Sequence, residues 1–145
     1  MSTAHSTRLG LSLAGCLVLA AAWAGGPITP HFPSAQITIE QWSAYLNEIK
    51  AMPDARCEPF FAHQVICDSS KQRTIWVFTS EGHPAHPAVS RGVMTVQQTG
   101  QGIKAGIDRS GHYVGDRAAF YAWMKEFGVL DKREIARWDS MLQSK

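Results

Sequence analysis

The sequence predicts an α+β domain made of an N-terminal helix, a four-stranded antiparallel meander, two C-terminal helices and one disulfide. Apolar residues recur at helical spacing near both ends of the chain, which is typical of amphipathic helices. Between them, runs of β-branched and aromatic residues are separated by segments too short for parallel crossovers, so the strands should be antiparallel. A pair of cysteines follows a leader-like segment and favours a disulfide.

The first 24 residues have the pattern of a secretory signal peptide. Arg8 precedes an uncharged apolar run over residues 9–22, and Ala22-Trp23-Ala24 places small residues at the two positions that a signal peptidase recognises. We expect cleavage near Ala24, which would leave the mature protein secreted or periplasmic. The short Ala- and Leu-rich segment also indicates a bacterial source.

Two other fates of this segment stay open. Leu13-Ala14-Gly15-Cys16 matches the lipoprotein box of bacteria, in which Cys16 would be acylated and become the new N-terminus. A retained membrane helix would have to cross the bilayer with the 16 residues from Leu9 to Ala24, fewer than the ~20 that a span requires. We therefore expect no transmembrane segment in the mature chain.

Cleavage would divide the chain into residues 1–24, a flexible arm over residues 25–36 and one domain over residues 37–145. Glycine and proline recur through the arm and disfavour regular structure there. The mature part would keep 121 residues, enough to bury a core in a single domain. Its net charge would be +1, since Arg8 is the only charged residue lost, and its cations are dispersed among acids. A nucleic-acid partner is therefore not expected.

The first predicted element of the domain is a helix over residues 39–51. Thr38 and Gln41 have the spacing of a capping box, in which each side chain bonds the other residue's backbone N–H. Apolar residues then recur at helical spacing until Pro53 stops the run: Ile39, Trp42, Leu46 and Ile49. This stripe predicts a helix that packs against a sheet.

Four strands are expected in the middle of the chain, over residues 60–67, 73–79, 89–97 and 103–108. The runs contain β-branched or aromatic residues, and turn-forming residues separate them. Gly92 lies inside the third strand, where a glycine often marks a bulge.

Two helices are expected after the sheet. Asp116 can cap the first, and Gly128 occupies the position at which a left-handed residue commonly ends a helix. Asp131 and Glu134 have capping-box spacing and predict the start of the second helix. Apolar residues at helical spacing occur in both: Phe120, Trp123, Met124, Phe127, Ile135, Trp138 and Leu142.

Cys57 and Cys67 are the two cysteines of the expected mature chain, and we predict that they form a disulfide. Their spacing matches neither the C-x-x-C redox motif nor a zinc-binding pattern. Closing this short loop would stabilise the fold by about 2 to 3 kcal/mol.

The most unusual motif is a pair of His-Pro dipeptides, His83-Pro84 and His86-Pro87, between the second and third predicted strands. A residue before proline favours extended backbone, and residues three apart in such a segment project to the same side, ~9 Å apart. Neutral imidazoles bind zinc or copper, so one hypothesis is a metal site at His83 and His86. A third ligand would have to come from His63, Glu81, Asp108 or His112.

The alternative is that this proline-rich loop is a recognition surface, because its low conformational freedom reduces the ordering cost of binding. We favour this interpretation: a non-catalytic binding domain whose loop from Ser80 to Ala88, with His83, Pro84, His86 and Pro87, contacts another envelope protein. A small hydrolase is the third possibility, although no G-x-S-x-G, H-E-x-x-H, P-loop or G-x-G-x-x-G motif occurs. Arg91, Arg109 and Arg117 are candidates to line a site for an acidic ligand.

Overall fold

The computed structural model describes residues 36–143 and has an α+β fold built on one antiparallel sheet. Its elements are α1 (Ile39–Ala51), β1 (Ala55–Pro59), β2 (Gln64–Ser69), β3 (Thr74–Thr79), β4 (Ala88–Thr99), β5 (Gly102–Tyr113) and α2 (Arg117–Gln143). The strands lie side by side in chain order, and each neighbouring pair is antiparallel. The meander is therefore confirmed, but it has five strands instead of four and is followed by one helix instead of two. The predicted leader with Cys16, and the arm as far as residue 35, lie outside the described residues.

The capping box predicted for α1 is confirmed. The Thr38 hydroxyl accepts a hydrogen bond from the Gln41 N–H at 3.2 Å, and the Gln41 side-chain oxygen accepts one from the Thr38 N–H at 2.9 Å. The helix ends before Pro53 and buries Trp42, Tyr45 and Ile49. One stripe of large side chains therefore fixes α1 to the sheet.

The additional strand is β1, which sequence patterning missed. Its residues, Ala-Arg-Cys-Glu-Pro, carry no β-branched or aromatic side chain, and they are mostly exposed. Cys57 pairs with Cys67 in the β1–β2 register, and the predicted disulfide joins them across Cα atoms 4.0 Å apart. The predicted start of a strand at residue 60 is wrong, because residues 60–63 form the turn into β2, with His63 at a φ of 60°.

Gly92 does not mark a bulge. The ladder is continuous on both sides of it, with Gly92 opposite Ile75 of β3 and Arg109 of β5. A Cβ atom at Gly92 would lie 2.8 Å from the Nη2 atom of Arg109. The glycine is needed because the Arg109 guanidinium lies across this strand.

A single helix of 27 residues, α2, replaces the two predicted C-terminal helices. Asp116 caps it as expected, since its carboxylate accepts the Ala119 N–H at 2.6 Å. The predicted break at Gly128 is wrong, because this glycine is an exposed residue inside the helix. Asp131 also lies inside the helix, and its carboxylate pairs with Arg109 instead of capping a new helix. Within residues 36–143, neither helix is long and apolar enough to cross a membrane.

Each helix covers one face of the sheet. Side chains alternate along β3, so Trp76 and Phe78 project to the face that α1 covers, and Ile75 and Val77 project to the face that α2 covers. We call these the α1 face and the α2 face. The core of the α1 face contains Ile37, Trp42, Tyr45, Ile49, Cys67, Trp76, Phe78 and Val89. The core of the α2 face contains Val77, Ala85, Ala88, Tyr113, Phe120, Trp123 and Phe127.

Candidate functional site

The two histidines of the His-Pro loop contact different helices. The centre of the His83 ring lies 5.4 Å from the centre of the Trp123 ring of α2, and the centre of the His86 ring lies 5.4 Å from the centre of the Trp42 ring of α1. Because these helices cover opposite faces of the sheet, the expectation that both imidazoles project to one side is wrong. Each ring therefore packs on its own helix, although His86 lies near enough to His83 to help lower its pKa.

The His83 ring also has a partner within the loop, and the His86 ring has one at the end of β3. Nδ1 of His83 accepts the Ala85 N–H at 3.1 Å, and Nδ1 of His86 lies 3.1 Å from the carbonyl oxygen of Thr79. Burial lowers the pKa of His83 and favours the neutral ring, although the nearby carboxylate of Glu126 opposes this shift. The loop histidines thus connect the sheet to both helices.

Of the proposed third metal ligands, His63 lies near enough to His83 to help lower its pKa, whereas Asp108 is exposed on β5. His63 lies against Gly82, where an added Cβ would be 2.7 Å from its ring, while His112 is buried on β5 and Glu81 is exposed in the loop. Among the described residues, no three or more His, Cys, Asp or Glu side chains form a group that could hold a metal ion. Metal analysis of untagged protein, with a His83→Ala, His86→Ala double variant as control, is the direct test of the zinc or copper hypothesis.

The outer side of the same loop is available to a partner. Pro84 is exposed and Pro87 is half-buried, whereas Ala85 and Ala88 are fully buried. The Thr79 hydroxyl accepts the Ala88 N–H at 2.8 Å and fixes the end of the loop to β3. The loop is thus held in one shape by its buried side, which leaves Pro84 and the preceding Glu81 and Gly82 for contact.

The three arginines considered for an acidic ligand do not converge. Arg91 projects to the α1 face, where its Nε atom is buried without a hydrogen-bond partner among residues 36–143. Arg109 projects to the α2 face, and Arg117 lies over the Tyr121 ring at 5.5 Å. A shared site for one anion is therefore not formed by these three side chains.

Sequence reasoning missed a groove between α2 and strands β2 and β3. It consists of two adjoining cavities, of about 400 and 320 Å³, which share Ile66, Ile75 and Glu134 in their lining. We call it the α2 groove. Its apolar floor is formed by Phe60, Ile66, Ile75, Val77, Met94 and Ile107. The helix side is lined by Phe127, Leu130, Glu134 and Trp138.

The groove is open because α2 packs mainly along β5, the last strand of the sheet. Ile66 of β2 and Ile75 of β3 lie farther from the helix and remain half-buried. On β4, between these strands and β5, the residues of the α2 face opposite Val77 and Ile75 are the small Ser90 and Gly92, and Met94 is the β4 side chain that lines the floor. The concave shape thus follows from the position of the helix over one side of the sheet.

A half-buried ion pair holds the helix beside the groove. Arg109 donates from Nε and Nη2 to the two carboxylate oxygens of Asp131, at 2.7 and 2.5 Å, and from Nη1 to the Ser90 hydroxyl at 2.9 Å. Its guanidinium also lies 4.4 Å from the centre of the Phe127 ring. This bidentate contact fixes α2 relative to β4 and β5.

The rim of the groove carries charges of both signs. Glu134 accepts hydrogen bonds from Arg137 and, at 2.8 Å, from the Trp138 Nε1–H. Burial opposes ionisation of Glu134, but these two hydrogen bonds outweigh it and lower the pKa of the carboxyl group. Within the described part of the chain, Arg73 and Arg133 form no ion pair. Two cations at the rim are thus available to a ligand.

The known proteins offer no guide to this site. Comparison of the chain with protein-family models, curated proteins and solved structures found no match.

Proposed function

We propose that the mature chain is a non-catalytic binding domain of the bacterial envelope, and that an apolar part of its ligand binds in the α2 groove. The observation that carries this proposal is the half-buried pair Ile66 and Ile75 at the floor of an open concavity of about 400 and 320 Å³. Apolar side chains left uncovered in a concave site are typical of ligand-binding surfaces.

Placement in the envelope is supported by the leader and by the disulfide. Residues 1–24 have the pattern of an export signal, and a cystine such as Cys57–Cys67 persists in oxidising compartments. Acylation at Cys16 would instead tether the same domain to a membrane surface. Either fate leaves the groove in the envelope.

The chemistry of the groove supports binding in preference to catalysis. The side chains that line it include no histidine or cysteine. Two of its carboxylates, Asp131 and Glu134, already accept hydrogen bonds from arginine and tryptophan side chains. The pKa of Glu134 is lowered, whereas hydrolysis by a carboxylate general base would favour a raised pKa.

An uncharged fluorescent probe, N-phenyl-1-naphthylamine, tests this proposal on the purified mature protein. We expect saturable binding, and we expect Ile66→Gln to weaken it at least tenfold by placing an amide on the floor. Ile103→Gln is the matched control, because Ile103 is exposed at the tip of the β4–β5 hairpin and does not line the groove. Equal affinity of both variants, at unchanged circular dichroism, would overturn the proposal.

The partner proposed for the outer side of the His-Pro loop requires a separate measurement. Pro84→Ala would alter the exposed part of the loop and leave the groove lining unchanged. Co-purification from envelope extract, with wild-type and Pro84→Ala proteins compared, shows whether a protein partner depends on this surface.

A further inference from the structure

We infer that the ligand of the α2 groove is an anionic amphiphile, a molecule with one apolar tail and a carboxylate or phosphate head that Arg73 binds. This inference rests on the proposed function and adds the chemistry of the ligand. It is carried by the backbone conformation of Arg73, by its position and by the pairing of the other charges around the groove.

Arg73 occupies a backbone position that favours glycine. It ends the turn between β2 and β3 with a φ of 50°, in the left-handed region that is costly for residues with a Cβ atom. Two hydrogen bonds hold Arg73 in this turn, from the Arg73 N–H to the Ser70 carbonyl and from the Met94 N–H to the Arg73 carbonyl. Both use backbone atoms, so a glycine would keep them. The arginine side chain is therefore not explained by the turn, which points to a role for its guanidinium.

The position of Arg73 fits the head of an amphiphile. Its side chain lines the larger cavity of the groove, beside the apolar Ile75 and Met94. Phe127 and Trp138 line the two ends of the helix side and are eleven positions apart, which corresponds to ~16 Å along the helix axis. A single extended apolar tail can lie along this length with its head at the Arg73 end.

The charges near this end leave Arg73 available. Glu134 is engaged by Arg137 and Trp138. Asp68, the other carboxylate of this cavity, lies opposite Arg56 in the β1–β2 register and forms no ion pair with Arg73. A guanidinium presents five N–H donors in a fork that matches a carboxylate or a phosphate. An anionic head is therefore the complement of this end of the groove.

Displacement of N-phenyl-1-naphthylamine from the mature protein tests the inference. The competitors are dodecanoate, dodecyl phosphate, the neutral dodecanol and the cationic dodecyltrimethylammonium, each below its aggregation concentration. We expect at least one anion to bind tenfold or more tightly than dodecanol, and the cation to bind more weakly than dodecanol. A preference for dodecanoate would indicate a free fatty acid, and a preference for dodecyl phosphate would indicate a lipid phosphate.

Two substitutions separate the head from the tail. Arg73→Gln should remove the preference for anions and leave dodecanol affinity within twofold of wild type. Lys132→Gln is the matched control, because it removes the same charge from an exposed position of α2 that does not line the groove. Arg73→Gly should also remove the preference, but should raise the urea midpoint by relieving the left-handed backbone.

The possible outcomes distinguish the inference from the proposed function. Equal affinity for dodecanol and both anions would overturn the inference that the ligand has an anionic head, but would remain consistent with the proposed binding of an apolar ligand in the α2 groove. Failure of every competitor and of the probe to bind overturns the proposed function as well. A lowered urea midpoint in Arg73→Gly would make the arginine a structural residue and overturn the inference. Dimerisation that increases with concentration and displaces the probe would assign the groove to a second copy of the chain.

Discussion

The two faces of the sheet are each covered by one helix, but they are closed to different degrees. On the α1 face, Tyr45, Ile49, Trp76 and Phe78 are at most 2% exposed. The Tyr45 hydroxyl accepts the Trp76 Nε1–H at 2.7 Å, and burial raises the pKa of Tyr45 to about 12. On the α2 face, Ile66 and Ile75 are only half-buried. The closed face stabilises the fold, and the half-covered face provides the candidate ligand site.

The difference arises from where the helices lie. The short helix α1 places its large side chains over the strands that carry Cys67, Trp76 and Val89. The longer helix α2 follows the edge strand β5. The β3–β4 pairing ends at Val93, and beyond it β4 and β5 continue as a two-stranded hairpin over residues 94–107, along which α2 also continues. The second half of α2 thus packs on two strands. Its apolar residues there are half-buried: Ile135, Trp138 and Leu142.

The largest expected effect compares the same substitution on the two faces. Ile49→Ala removes a side chain with 0% exposure from the α1 face and should lower the free energy of unfolding by about 2 to 5 kcal/mol. Ile75→Ala removes one from the floor of an open groove, where solvent can fill the space, and should cost less than about 2 kcal/mol. Urea denaturation of both variants measures the difference. Equal losses would mean that the α2 face is as closed as the α1 face.

The second prediction concerns the weakest strand of the sheet. β1 is mostly exposed and is bonded covalently to β2 by Cys57–Cys67. The Cys57→Ala, Cys67→Ala double variant should lose about 2 to 3 kcal/mol of stability through the entropy of the unfolded chain. In hydrogen exchange, amides that exchange through global unfolding should all lose this amount of protection, and those of the mostly exposed β1 should lose more because the strand can then detach from β2. Equal loss in β1 and in the other strands would contradict a local role for the disulfide.

Sequence patterns predicted those helices and strands whose own residues favour the conformation that packing in the fold also requires. The Thr38 capping box and the apolar stripe of α1 both appear in the structure, and the aromatic run of β3 forms the centre of the sheet. β1 was missed because pairing with β2 and a disulfide hold it, and neither leaves a propensity signal in its own five residues.

The prediction of two C-terminal helices was wrong for a different reason. Gly128 and Asp131 are local signals for a helix end and a new start, but apolar residues continue at helical spacing across them, and tertiary contacts decided the outcome. The groove was not predictable in the same way. It depends on which strands α2 covers, and no local pattern specifies the lateral position of a helix on a sheet. The turn conformation that distinguishes Arg73 is likewise visible only in three dimensions.

A third, smaller effect tests the continuity of α2. Gly128→Ala should raise the free energy of unfolding by about 0.5 to 1 kcal/mol, because glycine is costly in a helix interior. An added Cβ would meet no atom within 4 Å. If Gly128 instead ended one helix in a left-handed conformation, alanine would lower stability. The sign of the change in stability therefore distinguishes one continuous helix from two helices. Gly100→Ala in the β4–β5 turn controls for the added methyl group, because a Cβ atom there would also meet no atom within 4 Å.

The smallest effect is a pH dependence at the point where the His-Pro loop meets α2. Burial lowers the pKa of His83 below its ordinary value near 6.5, and His63 and His86 add to this shift while Glu126 opposes it. As the pH falls, the unfolded chain therefore takes up the proton at His83 before the folded protein does. The free energy of unfolding is highest above pH 6.5 and decreases as the pH drops from that value towards the pKa of His83 in the folded protein. Urea midpoints between pH 7.5 and 5.5 should decline in wild type and decline less in His83→Gln. An identical slope in both proteins would show that the ring is not held neutral against Trp123.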